Sequence, residues 1–324
     1  MKKVLSVGEA TMDVFVFVNE ASVNCTVDKE KCLISFRYAD KIPVERVEFS
    51  VGGNAANTAV TFSRLGFASA LFSMVGDDNL GKQITDSLEK DKVDCRYIQQ
   101  YSGPTSYTTA LVYQGERTLL VHHVPHDYNL PDFDPVDWVY LTSMGKSYLM
   151  AYEKVLRYVK AHRPRVSFNP GTFQLRDGPN KLKPYFQVTD ILFVNREEAM
   201  QLTEQPASAS FLKLGQLLFD MGPKVVVITD GPRGAYCFDG RELLYCEAFP
   251  IEVVERTGAG DSYGSGFTSA ILEGKSLEEA MLWGMANSTG AIKEVGPQKG
   301  LPKRSELLDL IAKYKHIKPR RVRN

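Results

Sequence analysis

Long apolar runs, an excess of either charge, and motif-paired cysteines are all missing from this chain, and each absence removes a class of function. No apolar run reaches the length of a membrane span. Residues 1–9 carry two lysines ahead of a short apolar stretch broken by Gly8 and Glu9, unlike a signal peptide. Lys and Arg number 39, as do Asp and Glu, so no whole-molecule field favours nucleic acid or an anionic membrane, and a small-molecule partner is expected. The five cysteines (Cys25, Cys32, Cys95, Cys237, Cys246) are odd in number, scattered, and form no C-x-x-C pair. That pattern argues for reduced thiols in a cytoplasmic protein and against structural zinc. The sequons at Asn24 and Asn287 then read as chance matches, and the charged tail 313–323 as a solvated end.

What is present is enough apolar material, 44% of 324 residues, for one large α/β domain spanning 1–324. Short apolar runs at 4–7, 69–75, 138–142, 165–169, 191–195 and 224–229 predict strands. Helical periodicity predicts helices over 54–65, 80–90, 148–162, 197–202, 207–221, 262–273, 277–294 and 305–313. Such alternation implies a mainly parallel sheet covered by helices on both faces. Residues 14–50 and 105–124 break the order with alternating strands and turn residues, which predicts a small antiparallel sheet serving as a flap over a cleft.

The run Thr257-Gly258-Ala259-Gly260-Asp261 puts a carboxylate directly behind two glycines where an amphipathic helix begins. Small residues leave the first N–H groups of a helix uncovered, and these unpaired donors, with the helix dipole, favour an anion such as a migrating phosphoryl group. A carboxylate among such donors would compete with phosphate unless it faced the attacking hydroxyl, so Asp261 is a candidate base. The same residues also suit a plain turn with Asp as helix cap. Gly52-Gly53-Asn54-Ala55-Ala56-Asn57 lets backbone approach a ligand closely and offers amide donors and acceptors to a polyhydroxylated substrate, or simply caps a helix. Asp13 follows the first strand, near the sheet edge where ligands of open α/β folds bind. Asn195-Arg196-Glu197-Glu198 joins a strand to a helix, where magnesium-bound water and phosphate would find partners or where Asn would merely cap. Residues 229–234, Thr-Asp-Gly-Pro-Arg-Gly, can hold nucleotide backbone-first or form a hairpin.

Several near matches fail on chemistry. Gly76-Asp77-Asp78-Asn79-Leu80-Gly81-Lys82-Gln83 approaches a P-loop, but Gln83 replaces the magnesium-binding hydroxyl and two aspartates would sit inside a phosphate cradle. Tyr263 occupies the third glycine position of a dinucleotide fingerprint. In His122-His123-Val124-Pro125-His126 the proline prevents the helical spacing of a metal site, which leaves a flap histidine near substrate or ordinary surface histidines.

Taken together these positions resemble the PfkB family of carbohydrate kinases, the ribokinase-like group, over residues 4 to about 300. GGNAANTAVTFSRLG at 52–66 is similar to the family's amino-terminal signature, and TGAGDSYGSGF at 257–267 to its carboxyl-terminal one. Residues 76–81, 195–198 and 229–234 are similar to its G-x-D-x-x-G turn, N-x-x-E motif and nucleotide loop. The resemblance implies a ribokinase-like α/β fold, with a mainly parallel central sheet flanked by helices and a small β-sheet lid. It also implies ATP-dependent transfer of the γ-phosphate to a sugar hydroxyl. Asp261 would deprotonate that hydroxyl, while the amides of Gly258, Ala259 and Gly260 stabilise the phosphoryl group. Asn195 and Glu198 would organise Mg2+ through water. Asp13, Gly52, Gly53 and Asn57 would hold the sugar, and Asn195, Thr229, Gly231 and Asn287 would lie along the nucleotide. Glu255-Arg256 stands where the family frequently has Asp-Thr, beside the place where many relatives bind a monovalent cation, so the resemblance leaves that requirement open. Arg256 itself offers positive charge near the phosphates. Asn54 replaces the Lys of typical ribokinases, which counts against ribose.

A free pentose or hexose is therefore the expected acceptor. A nucleoside is the rival, with Phe15, Phe17, Phe36 and Tyr107 as a wall for its base. A phosphosugar would ask for clustered basic residues that the substrate loop lacks, unless Arg37, Lys41 and Arg117 meet in the cleft. A catalytically silent sugar or nucleotide sensor would have no use for Asp261. Some relatives pair their flap sheets, and the apolar run 14–18 could support such a homodimer edge or could pack internally.

Overall fold

A computed structural model describes residues 1–25 and 32–322. Residues 26–31 of the expected flap and residue 323 of the expected tail lie outside that description. In chain order the elements are β1 (Lys3–Val7), β2 (Thr11–Val18), β3 (Ser22–Cys25), β4 (Cys32–Ser35), β5 (Val44–Gly52), α1 (Asn54–Arg64), β6 (Ala68–Gly76), α2 (Asn79–Lys90), β7 (Ile98–Tyr101), β8 (Tyr107–Tyr113), β9 (Glu116–His122), β10 (Trp138–Thr142) and α3 (Leu149–His162). There follow β11 (Arg165–Asn169), α4 (Thr172–Phe186), β12 (Ile191–Asn195), α5 (Arg196–Thr203), α6 (Phe211–Asp220), β13 (Val225–Thr229), β14 (Ala235–Phe238), β15 (Leu243–Cys246), α7 (Ala259–Leu272), α8 (Leu277–Ala291), α9 (Arg304–Lys313) and β16 (Arg320–Arg321).

The ten-stranded sheet runs β16-β15-β14-β13-β12-β11-β10-β1-β6-β7, parallel from β13 to β7 and antiparallel across β14, β15 and β16. Its central strands are buried on both faces, which is why they read as short, nearly continuous apolar runs. Alternation then assigns each side chain to one of two cores. Leu5, Val7, Val139 and Leu141 pack with residues of α3 and α4, whereas Val4, Trp138, Tyr140 and Phe193 pack with α1, α7 and α8. The crossing of α7 and α8 is close because a Cβ on Gly266 would lie 2.9 Å from the Trp283 carbonyl oxygen. Among the described residues no helix is long and apolar enough to cross a membrane.

A four-stranded sheet, β5-β2-β8-β9, occupies the expected flap region, but it is mixed rather than antiparallel, because β2 and β8 run parallel. Its register aligns Asp13 with Thr108 and Val121, Phe15 with Ala110 and Leu119, and Phe17 with Val112 and Arg117. β2 is paired on both sides, so the run 14–18 is a central strand rather than the edge expected for it. The exposed apolar residues lie elsewhere on this sheet, with Phe49 63% and Leu120 54% accessible.

Two further expectations, on the cysteines and on the start of α7, are corrected, helix α4 is additional, and the hairpin read at 229–234 is present. Cys25 and Cys32 face each other in the β3–β4 register and are joined by a disulfide, whereas Cys95, Cys237 and Cys246 are free. Hairpin pairing needs no C-x-x-C spacing, so the inference from scattered cysteines to a cytoplasm lapses. Helix α4 is not among the predicted helices; Gly178 and Pro179 fall inside it and kink it, with Gly178 at φ 81°. Residues 229–234 form the turn of the β13–β14 hairpin, closed by Asp230 and Arg233. Finally, α7 starts at Ala259, three residues early, which puts Asp261 inside its first turn.

Candidate active site

The carboxyl ends of the parallel strands and the inner face of the small sheet enclose a cleft of about 450 Å³. Its lining includes Asp13, Gly53, Asn57, Asn195, Glu198, Thr229, Gly258, Ala259, Gly260 and Asp261, so most of the residues singled out from sequence converge there. Three of them do not line it. Asn287 is fully buried between α8 and α7, where its Nδ2 donates to the Ser262 carbonyl at 2.7 Å. It braces the helix that carries Asp261 instead of lying along the cleft. Gly231 sits in the hairpin turn at φ 55°, outside the lining. Gly52 acts through what it lacks, since a Cβ there would lie 2.1 Å from Asp13 Oδ2.

Gly258 is the N-cap of α7, in the left-handed region at φ 74°, and a Cβ on it would meet Pro297 at 2.5 Å. A Cβ on Gly260 would meet nothing within 4 Å, so that side of the helix start opens on the cleft. Gly53 caps α1 at φ 91°, and a Cβ would approach the Glu9 carbonyl oxygen at 2.5 Å. The two glycine motifs thus bring the amino ends of two helices to one place, where helix dipoles favour anions; the Ala55 and Ala56 N–H groups of α1 already donate to the Glu9 carbonyl and that of Ala259 to the Arg256 carbonyl.

Asp261 is 7% exposed. Asn57 donates Nδ2 to its Oδ2 at 2.9 Å, while Gln298 donates to the Asn57 Oδ1 at 3.1 Å. Asn57 therefore spends both ends of its amide on orienting Asp261, an arrangement that sequence reading took for sugar binding. Burial pushes the Asp261 carboxyl up to about 6, against hydrogen bonds from Asn57 and Asn54 that pull it down. Burial likewise raises Asp13 to about 7, opposed by Thr11 and helped by the charges of Glu255 and Asp261. Glu198 rises to about 7, again chiefly through burial, opposed by the Asn195 N–H and helped by Asp261 and Glu197. Burial holds three carboxyls above their usual range in one cleft, the Asp261 charge adding to the rise of Asp13 and Glu198, and a cationic ligand would favour their ionised forms.

Asn195 and Glu198 form a reciprocal cap on α5, Glu198 N–H to Asn195 Oδ1 at 2.9 Å and Asn195 N–H to Glu198 Oε2 at 2.8 Å. The plain cap is therefore real. It leaves Glu198 Oε1 as an acceptor for the water of a hydrated divalent ion, whereas the Asn195 NH2, its Oδ1 already used, can only donate, as to a phosphate oxygen. Among the described residues no group of three or more His, Cys, Asp and Glu side chains is placed to bind a metal directly.

The three histidines part company. His123 enters the cleft, its Nδ1 3.2 Å from Glu9 Oε1, and the closeness of that carboxylate raises its pKa. His122 lies against Tyr107, and His126 stacks on Tyr101. Of the proposed aromatic wall only Phe15 lines the cleft, joined by Leu119 and Val121. Neither Arg37 nor Lys41 lines it. Arg117 and Arg256 do, and Arg117 is already paired with Glu255 at 2.9 Å. Sequence reading missed Glu9, Ser143 and Asn169, all in the lining. Each ends or closely follows a parallel strand, and that position was the available signal.

A family model described as pfkB family carbohydrate kinase matches residues 1–304. The chain is 26% identical over 288 residues to an ATP-dependent 6-phosphofructokinase of Thermoanaerobacterium thermosaccharolyticum, covering 83% of this chain and 87% of that protein. It is 26% identical over 277 residues to the ribokinase of Haemophilus influenzae, covering 82% and 89%. The solved ribokinase of Arabidopsis thaliana, complexed with ribose and ATP, superposes with a TM-score of 0.78 at 22% identity, covering 96% of this chain and 99% of that one.

Proposed function

The chain belongs to the pfkB family of carbohydrate kinases, phosphotransferases with an alcohol acceptor, and from that premise we propose that it transfers the γ-phosphate of ATP to a hydroxyl of a free pentose or hexose. The observation that carries this reading is the Asp261 carboxylate, buried beside the open amino end of α7 and held by Asn57. With its pKa at about 6, Asp261 is mostly ionised at neutral pH yet basic enough to take a proton from an alcohol as the oxygen attacks. The proton passes to Asp261, the new O–P bond forms, and the bond to ADP breaks with its electron pair leaving on the diphosphate. Amides of Gly258 and Gly260 would face the charge that spreads over the phosphoryl oxygens, joined by that of Ala259 once it leaves the Arg256 carbonyl it donates to at 3.2 Å. Asp13, Asn54 and the backbone at Gly53 are the partners for sugar hydroxyls, and Thr229 and Asn195 border the nucleotide end. Glu198 would hold Mg2+ through water, where it would neutralise phosphate charge, and the Asn195 NH2 would donate to a phosphate oxygen.

In this reading residues 1–324 form one domain whose lid, 14–50 and 105–124, excludes water from the reacting phosphate. Copies would pair through the apolar outer face of that lid around Phe49 and Leu120. A nucleoside acceptor is the second reading, favoured by the apolar strip of Phe15, Leu119 and Val121 and by the edge of His123 against Phe173. A silent sensor gains nothing from a buried base. An ADP-release screen over free sugars, sugar phosphates and nucleosides tests the proposal. Turnover with a free sugar supports it; turnover with nucleosides alone selects the second reading, and ATP binding without turnover on any acceptor rejects both.

A further inference from the structure

The small sheet is tied to the loop ahead of α7 at one charged point. Arg117, on the cleft face of β9, places Nη1 2.9 Å from Glu255 Oε1, and the Glu255 side chain is only 6% exposed. The same oxygen accepts the Thr257 N–H at 2.8 Å and the Thr257 hydroxyl at 2.7 Å. Thr257 immediately precedes Gly258, the left-handed residue that opens the helix. On the other side, the N–H groups of Val254 and Glu255 both reach the Ile292 carbonyl, at 2.9 and 3.3 Å. Glu255 Oε2 is buried with no partner among the described residues. The carboxylate is thus a hub. One of its oxygens collects donors from the lid and from the loop, and Arg117 is the cation within ion-pair distance of its charge.

Behind the pair lies a second cavity of about 270 Å³, lined by Phe17, Val112, Val254, Val295 and Glu255 and sharing Arg117 and Arg256 with the cleft. Space on that side gives the loop somewhere to retreat. A buried carboxylate that lost its cation would move toward water, carrying Thr257 and the first amides of α7 with it.

We propose that Arg117 and Glu255 are positioning residues that clamp the lid onto the loop before α7 and so hold the amide cup where phosphoryl transfer needs it. The inference rests on reading that cup as the phosphoryl site. Amide donors stabilise the transition state only when aimed at the developing charge, so a cup displaced by a fraction of an ångström loses rate rather than ATP affinity. The clamp also makes full activity conditional on the lid being down, because Arg117 arrives on β9.

The test uses the full chain with whichever acceptor turns over, comparing wild type, Arg117→Gln, Glu255→Gln and the double variant for kcat, both KM values and thermal midpoint. Each single variant is expected to lose about tenfold or more in kcat, equivalent to at least about 1.4 kcal/mol, with KM for ATP within about twofold. The double variant should be no worse than the poorer single one, since both remove the same contact. Guanidinium ion added to Arg117→Ala should restore part of kcat, and Arg117→Lys should retain more than Arg117→Gln. Should a variant fail to fold, the folded Arg117→Lys decides, by a kcat below wild type at unchanged ATP KM. Unchanged kcat in the single variants, or kcat losses that merely follow thermal midpoints and add in the double variant, would overturn the clamp. Wild-type turnover that Asp261→Asn still abolishes would then leave the phosphotransfer reading standing, whereas absence of any wild-type turnover would strike that reading itself.

Discussion

Replacing Asp261 by Asn should make the protein more stable as it makes it inactive. Burial raises the Asp261 carboxyl from its ordinary 3.8 to about 6. At about 1.36 kcal/mol for each tenfold change in acidity, ionising it in the folded state costs up to about 3 kcal/mol of stability. The sign follows from which state binds the proton. Below about pH 4 the group is protonated in both folded and unfolded chains and costs nothing; above about pH 6 it is ionised in both and the whole cost is present. Asn never ionises, so its advantage grows across that window. Against this, Asn57 donates to the carboxylate at 2.9 Å and Asn54 also bonds to it, while an amide at 261 can accept from one of them but must turn its own NH2 toward the other. That mismatch costs about 1 kcal/mol once Asn54 rotates. The net gain is about 2 kcal/mol at pH 7.5, falling to nothing or to a small loss near pH 4. Removing the charge also relieves Asp13 and Glu198, both of which it pushes upward. Urea unfolding of both proteins at several pH values gives the difference curve directly. A variant no more stable than wild type at neutral pH, or a difference that stays flat with pH, would refute the picture of a desolvated, ionised base.

Other consequences are open to measurement. For free enzyme, kcat/KM should fall as pH drops through about 6, where Asp261 takes up a proton, with a second inflection near 7 from the Asp13 and Glu198 carboxyls; a profile flat from pH 5 to 8 would contradict these assignments. Gly260→Ala has room for its methyl and should keep or slightly raise the unfolding midpoint while lowering kcat about tenfold or more, because that methyl enters the phosphoryl space. Gly53→Ala, at φ 91° and 2.5 Å from the Glu9 carbonyl oxygen, should instead cost about 2 kcal/mol or more of stability, read by urea unfolding. If copies pair through the lid, Phe49→Ser with Leu120→Ser should convert a dimer to a monomer by sedimentation, and a wild-type monomer would dismiss the pairing.

The central strands were legible because burial on both faces leaves a short apolar run that turns and helices punctuate; Trp138–Thr142 and Ile191–Asn195 fall where the runs predict. The antiparallel edge was not. β16 is Arg320–Arg321, two residues recruited by pairing with β15, and carries no periodicity to read. In the site, backbone constraints spoke most clearly: Gly53 and Gly258 stand at positive φ where a side chain would collide. Asn57 shows the limit of that reading. An amide beside two glycines looks equally suited to sugar or to a neighbouring carboxylate, and only the fold brings Asp261 within 2.9 Å across 204 positions of chain. Arg117 and Glu255 were separately visible, but their meeting depends on the register of β9 against β8. The cysteines misled for a similar reason, since Cys25 and Cys32 are neighbours through a hairpin rather than a motif.

Phosphoester formation from γ-labelled ATP, followed for wild type and Asp261→Asn with each free sugar in turn, tests the role of that carboxylate most directly. Labelled sugar phosphate should appear with wild type and at least one free sugar, and fall by about a hundredfold or more in the variant, with ATP binding preserved. No labelled sugar from any acceptor, or a variant that phosphorylates as fast as wild type, would contradict it.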